Sequence, residues 1–180
     1  MKTVFTAQVL NQYQAKTPVG FYDKVKGHTG VDLNFTFEPL PSPLTGTIVL
    51  LRKQNEMGNC LFLKDTAGAI HVFAHLSSYN VKQGQSVKRG EVLGVTGDSG
   101  SKLTVNPKTG KKFAHLHYEV LTAKPYHDVD AKMNRLFLAP FTGFNTDPIQ
   151  YDKDMYARYG VDWRTGQGGP EVAPHNPNGF

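Results

Sequence analysis

An antiparallel β domain, with helix confined to its periphery, is the fold class this sequence predicts. Two patterns carry that expectation: apolar and polar residues alternate over short segments, and glycine, proline and asparagine bound those segments. Length supplies a third argument, because 180 residues with 39% hydrophobic content suit one compact domain with modest extensions rather than two domains.

The segments follow one another in order. "VDLNFTF" puts Val31, Leu33, Phe35 and Phe37 on one face and Asp32, Asn34 and Thr36 on the other. "PLPSPLTG" at 39–46 reads as a Pro-rich connector. "GTIVLLRK", "NCLFLKD", "AIHVFAHL", "EVLGVTG" and "FAHLHYEVL" continue the series, and "VKQGQSVKRGEVLG" reads as a tight corner between short strands. From Gly160 the chain is rich in Gly, Pro and Asn and reads as an extended tail, ordered only against a partner. The expected organisation is therefore a domain over 1–150 and a Gly/Pro-rich C-terminal extension over 151–180.

Composition narrows the chemistry. A single cysteine, Cys60, excludes both an intrachain disulfide framework and a Cys-rich zinc finger, and its apolar neighbours mark it as a small core residue. A formal charge of +5 and a pI near 9.2 favour encounter with polyanions. No run approaches the roughly 20 apolar residues of a membrane span, and "MKTVFTAQVLNQYQ" lacks the pattern of a signal peptide.

The histidines fall on this framework in a definite way. In "FAHLHYEV" the alternation puts Phe113, His115, His117 and Glu119 on one strand face, with the two imidazoles about 6.6 Å apart at Cα. That spacing permits two ligands on one metal, or one ligand with its neighbour beside the metal. His28 and Asp32 also share parity, but a straight strand would hold them roughly 13 Å apart, so a bend is needed, and Gly30 is the residue placed to supply it. Two His and one Asp complete the three-ligand set typical of a catalytic zinc. His75 lies on an alternating strand, as a surplus imidazole for proton transfer or charge stabilisation. His71 is taken as a surface strand residue, and His127 and His175 as solvated.

At these residues the chain resembles the lysostaphin-type, LytM-like zinc endopeptidases that cut peptidoglycan peptides. "GHTGVDL" at 27–33, "FAHLSSYNVKQGQSVKRGEVLGVTGDSG" at 73–100 and "HLHYEV" at 115–120 carry the likeness, which covers roughly 20–122. The resemblance implies a groove holding one zinc ion per chain, with His28, Asp32 and His117 as ligands and His75 and His115 as catalytic histidines. It also implies a tyrosine donor, for which Tyr22 is the nearest residue. Glu119 is expected to support a ligand, with a role as base the alternative. Two departures stand out: a longer, basic loop, "SKLTVNPKTGKKF", before His-x-His, and an insertion over 121–146. Both bear on substrate choice.

The function so implied is zinc-dependent hydrolysis of peptide bonds in bacterial peptidoglycan, with no nucleic-acid partner. The implied setting is a phage enzyme, acting from the virion or released to the cell wall, with the C-terminal extension reaching phage tail or other virion proteins. A secreted bacterial enzyme is the alternative setting. A catalytically inactive wall-binding or structural module of a virion or divisome is the alternative function. "SVKRGEVLGVTGDSG" also resembles the hairpin of lipoyl-like and sugar-phosphotransferase carrier domains, which need neither His28 and Asp32 nor His-x-His.

Overall fold

The alternating segments become the strands of two antiparallel sheets in a computed structural model that describes residues 1–16, 27–101, 104–106, 108–126, 134–135, 141 and 143–168. In chain order the strands are β1 (Val9–Asn11), β2 (Val31–Leu33), β3 (Pro39–Pro41), β4 (Gly46–Gln54), β5 (Gly58–Asp65), β6 (Ile70–Leu76), β7 (Ser78–Tyr79), β8 (Ser86–Val87), β9 (Val92–Val95), β10 (Leu116–Thr122), β11 (Asn134–Arg135) and β12 (Gly143–Thr146), followed by a helix, α1 (Pro148–Arg158). The larger sheet runs β1-β2-β10-β6-β5-β4-β8, with β12 joined to β10 and β11 to β12. The smaller runs β3-β9-β7.

Strand β10 is the hinge of the design. Along one edge it pairs with β6, His117 opposite Ala74 and Leu121 opposite Ile70. Its other edge is shared: β2 takes Leu116–Tyr118, placing His117 opposite Asp32, and β12 takes Val120–Thr122, placing Leu121 opposite Asn145. Both faces of the central strands are covered. Leu33, Phe35, Ile48, Leu61, Leu63, Phe73 and Tyr118 build the main core, while Cys60, Phe62, Val72, Ala74 and Leu121 form a second cluster behind the sheet. Cys60 is thus a buried core thiol, as its neighbours imply.

Several elements depart from the sequence expectation. β2 ends at Leu33, and Phe37 leaves the apolar face: it takes a positive φ of 55° and is 54% exposed. The Pro-rich connector contains a strand, because β3 lies at the edge of the smaller sheet, where a missing N–H costs no bond on the open side. His71 is not a surface residue. It is fully buried, on the same face as Phe73, and its Nε2 lies 2.9 Å from Asp65 Oδ2 while its Nδ1 lies 2.7 Å from the Tyr118 hydroxyl. Strand alternation could not show this, because a helix closes over that face.

That helix begins at a clear signal. Asp147 caps it, its side chain accepting from the backbone N–H groups of Ile149 and Gln150, and Pro148 occupies the first turn. Tyr151, Asp152 and Met155 are buried. Tyr118 donates to Asp152 and Tyr151 donates to Asp65, each at 2.7 Å, so the helix is tied to β10 and β5 through buried polar bonds. The expected division between 150 and 151 falls inside α1. Residues 160–168 also fold back: Val161 is buried, and Arg89 donates to the Gly166 carbonyl at 2.9 Å. The rest of the expected tail, like His127 and His175, lies outside the described residues. Among the described residues no helix is long and apolar enough to cross a membrane.

Candidate metal centre

His28, Asp32 and His117 meet where β2 and β10 pair. Gly27, at a φ of +118°, turns the chain into the site, a conformation that favours glycine. His28 N–H then donates to Ala15 O, and His28 O accepts from Gln14 N–H. Gly30 supplies no left-handed bend. Its glycine is required by close approach, because a Cβ would collide with the Tyr118 carbonyl oxygen and lie 2.8 Å from Glu119 Cγ.

The donor atoms converge tightly. Asp32 Oδ1 is 2.8 Å from His117 Nδ1 and 3.2 Å from His28 Nε2, and those two nitrogens are 3.2 Å apart. The far side of each ring sets its tautomer. His28 Nδ1 faces the Gln12 carbonyl at 3.0 Å and His117 Nε2 faces Glu119 Oε1 at 2.7 Å. Both partners are acceptors, so in the neutral rings the protons point outward and the inward nitrogens are lone pairs, while a second proton on either ring points at Asp32. Three lone-pair atoms so close repel one another unless a proton or cation sits among them. Their separations approach the edges of about 3.3 Å of a tetrahedron with metal–ligand bonds near 2.0 Å, so the residues fit a zinc ion. No other group of three His, Cys, Asp or Glu side chains among the described residues converges in this way.

The electrostatics agree. Burial would raise Asp32, but hydrogen bonds from His117 and His28 outweigh it and hold its carboxyl well below the usual range. Burial would lower His117, but hydrogen bonds to Asp32 and Glu119, and their charges, push it up to about 9. A proton is thus strongly held where a metal would otherwise bind.

His75 and His115 lie beside this group, their ring centroids 4.7 Å apart. His75 adopts a positive φ of 63°, a strained backbone for a residue other than glycine. Its Nδ1 donates to Ser99 O at 2.9 Å, which leaves Nε2 as a lone pair. Both His75 Nε2 and His115 Nδ1 are buried without a hydrogen-bond partner. Burial, reinforced by His115 and His117, pushes His75 down to about 3, and burial also depresses His115. Two imidazoles that stay neutral therefore stand next to the donor triad, each with one buried nitrogen left without a partner. Phe113 stacks on His115 at 4.6 Å, and behind it Lys111 and Lys112 belong to the basic loop, with Lys112 Nζ donating to Asp98 O.

Glu119 stands behind His117, not in front of it. Oε1 accepts from His117 and from Thr29 Oγ1 at 2.7 Å, and Oε2 accepts from Asn145 Nδ2 at 3.0 Å. Thr29 and Asn145 were not singled out by the sequence; Thr29 sits within "GHTGVDL", but nothing local marks Asn145. Tyr22 lies outside the described residues.

An antiparallel β scaffold thus presents a buried His/Asp/His donor set that could hold one metal ion, beside two imidazoles that each carry one buried nitrogen without a hydrogen-bond partner. Residues 26–130 match Peptidase family M23, and the chain belongs to that family. It is 30% identical over 108 residues to the DD-carboxypeptidase/endopeptidase Mpg of Neisseria meningitidis, covering 59% of this chain and 23% of that protein. It is 30% identical over 115 residues to the peptidoglycan DD-endopeptidase ShyB of Vibrio cholerae, covering 63% and 25%. The chain thus spans about a quarter of the length of these curated relatives. Among solved structures it is similar to lysostaphin of Staphylococcus simulans, with a TM-score of 0.60 and 25% identity over 96% of this chain and 56% of that one. A zinc containing peptidase from Vibrio cholerae aligns with a TM-score of 0.52 and 30% identity, covering 63% and 33%.

Proposed function

We propose that this chain is a zinc-dependent endopeptidase that hydrolyses peptide bonds in bacterial peptidoglycan. The observation that carries the reading is the convergence of His28 Nε2, Asp32 Oδ1 and His117 Nδ1 beside two buried imidazole nitrogens without partners. Membership of Peptidase family M23 supports the peptidase chemistry, and the named activities of Mpg and ShyB support peptidoglycan as the substrate.

In this reading His28, Asp32 and His117 hold the zinc ion. When bound, it supplies Lewis acidity, making a water acidic near neutral pH and polarising a peptide carbonyl. His75 is held by Ser99 O so that Nε2 is free to take a proton from the attacking water. His115, held between Phe113 and His75, is placed to donate to the oxygen that gains charge as the carbonyl carbon becomes tetrahedral. Glu119 keeps the His117 ring in the tautomer that presents Nδ1.

The test is digestion of purified peptidoglycan by the zinc-loaded protein, with the released fragments weighed by mass spectrometry. New amino termini at one peptide position are the expected result. A wall-binding module on the same fold would sediment with the polymer and release nothing.

A further inference from the structure

The Glu119 carboxylate accepts from His117, Thr29 and Asn145, and the last of these bonds comes from a distant segment. Asn145 lies on β12, opposite Leu121 of β10, which makes it the diagonal neighbour of Glu119 on the same sheet face. Thr29, Glu119 and Asn145 are all fully buried. Thr29 and His117 both engage Oε1; Asn145 Nδ2 engages Oε2. The Asn145 bond adds to those on Oε1 and fixes the tilt of the carboxylate plane, and with it the direction from which Oε1 meets His117 Nε2–H.

We propose that Asn145 is a positioning residue for the metal site: by holding Glu119 Oε2, its amide fixes the carboxylate that keeps His117 Nε2–H outward and Nδ1 toward Asp32 and His28. The inference rests on the metal-site reading above and extends it to β12, at the C-terminal end of the insertion.

Two observations separate this role from ordinary packing. Asn145 Oδ1 is buried with no hydrogen-bond partner among the described residues, a destabilising arrangement that an apolar side chain of similar size would avoid. The fold also has its own use of this position through the backbone, where Asn145 O accepts from the Tyr13 hydroxyl at 2.9 Å, a bond any residue would keep. The side-chain amide is therefore separable from the strand that carries it, and its one bond goes to Glu119.

The experiment compares wild type with Asn145→Leu in three measurements: zinc affinity by chelator competition, urea denaturation of the zinc-free protein, and the His117 Nε2–H resonance of the zinc-loaded protein. Wild type should bind zinc and show a slowly exchanging Nε2–H. Asn145→Leu should bind zinc roughly 10-fold more weakly, a loss beyond any change in the stability of the zinc-free protein, with that resonance broadened by exchange. Unchanged zinc affinity and an unchanged Nε2–H would overturn the inference and leave the metal reading intact. A wild type that binds no zinc would overturn both. If Asn145→Leu does not fold, Asn145→Ala gives the same readout, and a loss of stability at constant zinc affinity would reduce Asn145 to a structural residue.

Discussion

Glu119 fills the space that a side chain on Gly30 would need, its Cγ lying 2.8 Å from where a Cβ would stand. The glycine between the two ligand candidates of "HTGVD" therefore leaves room for the Tyr118 carbonyl and for the side chain whose carboxylate accepts from His117, the third candidate. The His28–Asp32 segment and the His117–Glu119 segment interlock, and neither can be altered at that point without moving the other.

Gly30→Ala tests this interlock. The added methyl must displace the Tyr118 backbone or Glu119, and overpacking of this kind costs about 1–3 kcal/mol. Urea denaturation should show that loss, and zinc affinity should fall with it as Glu119 shifts. A variant with wild-type stability and zinc binding would mean that the close approach is not constraining.

The five site residues should divide into two groups. Alanine at His28, Asp32 or His117 removes one of three donor atoms, so zinc should be lost along with activity. His75→Ala and His115→Ala should keep near-stoichiometric zinc and lose on the order of a hundredfold or more in turnover. Metal content and turnover read on the same preparations decide the matter; His115→Ala shedding zinc while His117→Ala keeps it would reverse the two roles.

The buried cluster beneath α1 makes stability depend on pH. Burial pushes Asp152 up to about 7, so between about pH 4 and 7 the folded protein holds a proton that the unfolded chain releases, and stability falls as pH rises through that window. Burial acts to lower His71, but the hydrogen bond and charge of Asp65 outweigh it and raise it, adding stability that is present below about pH 6.5 and lost as pH rises through the folded value. Both groups act in the same direction. Asp152→Asn should flatten the fall in stability between about pH 4 and 7 relative to wild type, with both proteins melted in chelator to keep zinc binding out of the comparison. Parallel curves would show that Asp152 does not titrate there.

The basic loop should govern substrate choice without touching the metal. Lys108 and Lys111 are exposed on the hairpin that leads to Phe113 and His115, while Lys102 lies outside the described residues. Lys108→Glu with Lys111→Glu should leave zinc content unchanged and alter relative cleavage rates across peptidoglycans that differ in the charge of their stem peptides. Equal rates across all substrates would count against the role.

The sequence by itself determined whatever depends on neighbours along one strand. Alternation marked the antiparallel β architecture, and apolar neighbours marked Cys60 as a core residue. The spacing within "HLHYE" put His115, His117 and Glu119 on one face, because side chains two apart on a strand must point the same way. The tertiary structure decided what depends on which strands meet. Pairing of β2 with β10 brings Asp32 opposite His117, and pairing of β12 with β10 brings Asn145 to Glu119 across 26 positions of chain. Packing of α1 turns His71 from an apparent surface residue into the centre of a buried polar network. Gly30 shows the difference within one residue: its lack of a side chain is visible in the sequence, but the Tyr118 carbonyl and the Glu119 side chain that need the space arrive from another strand.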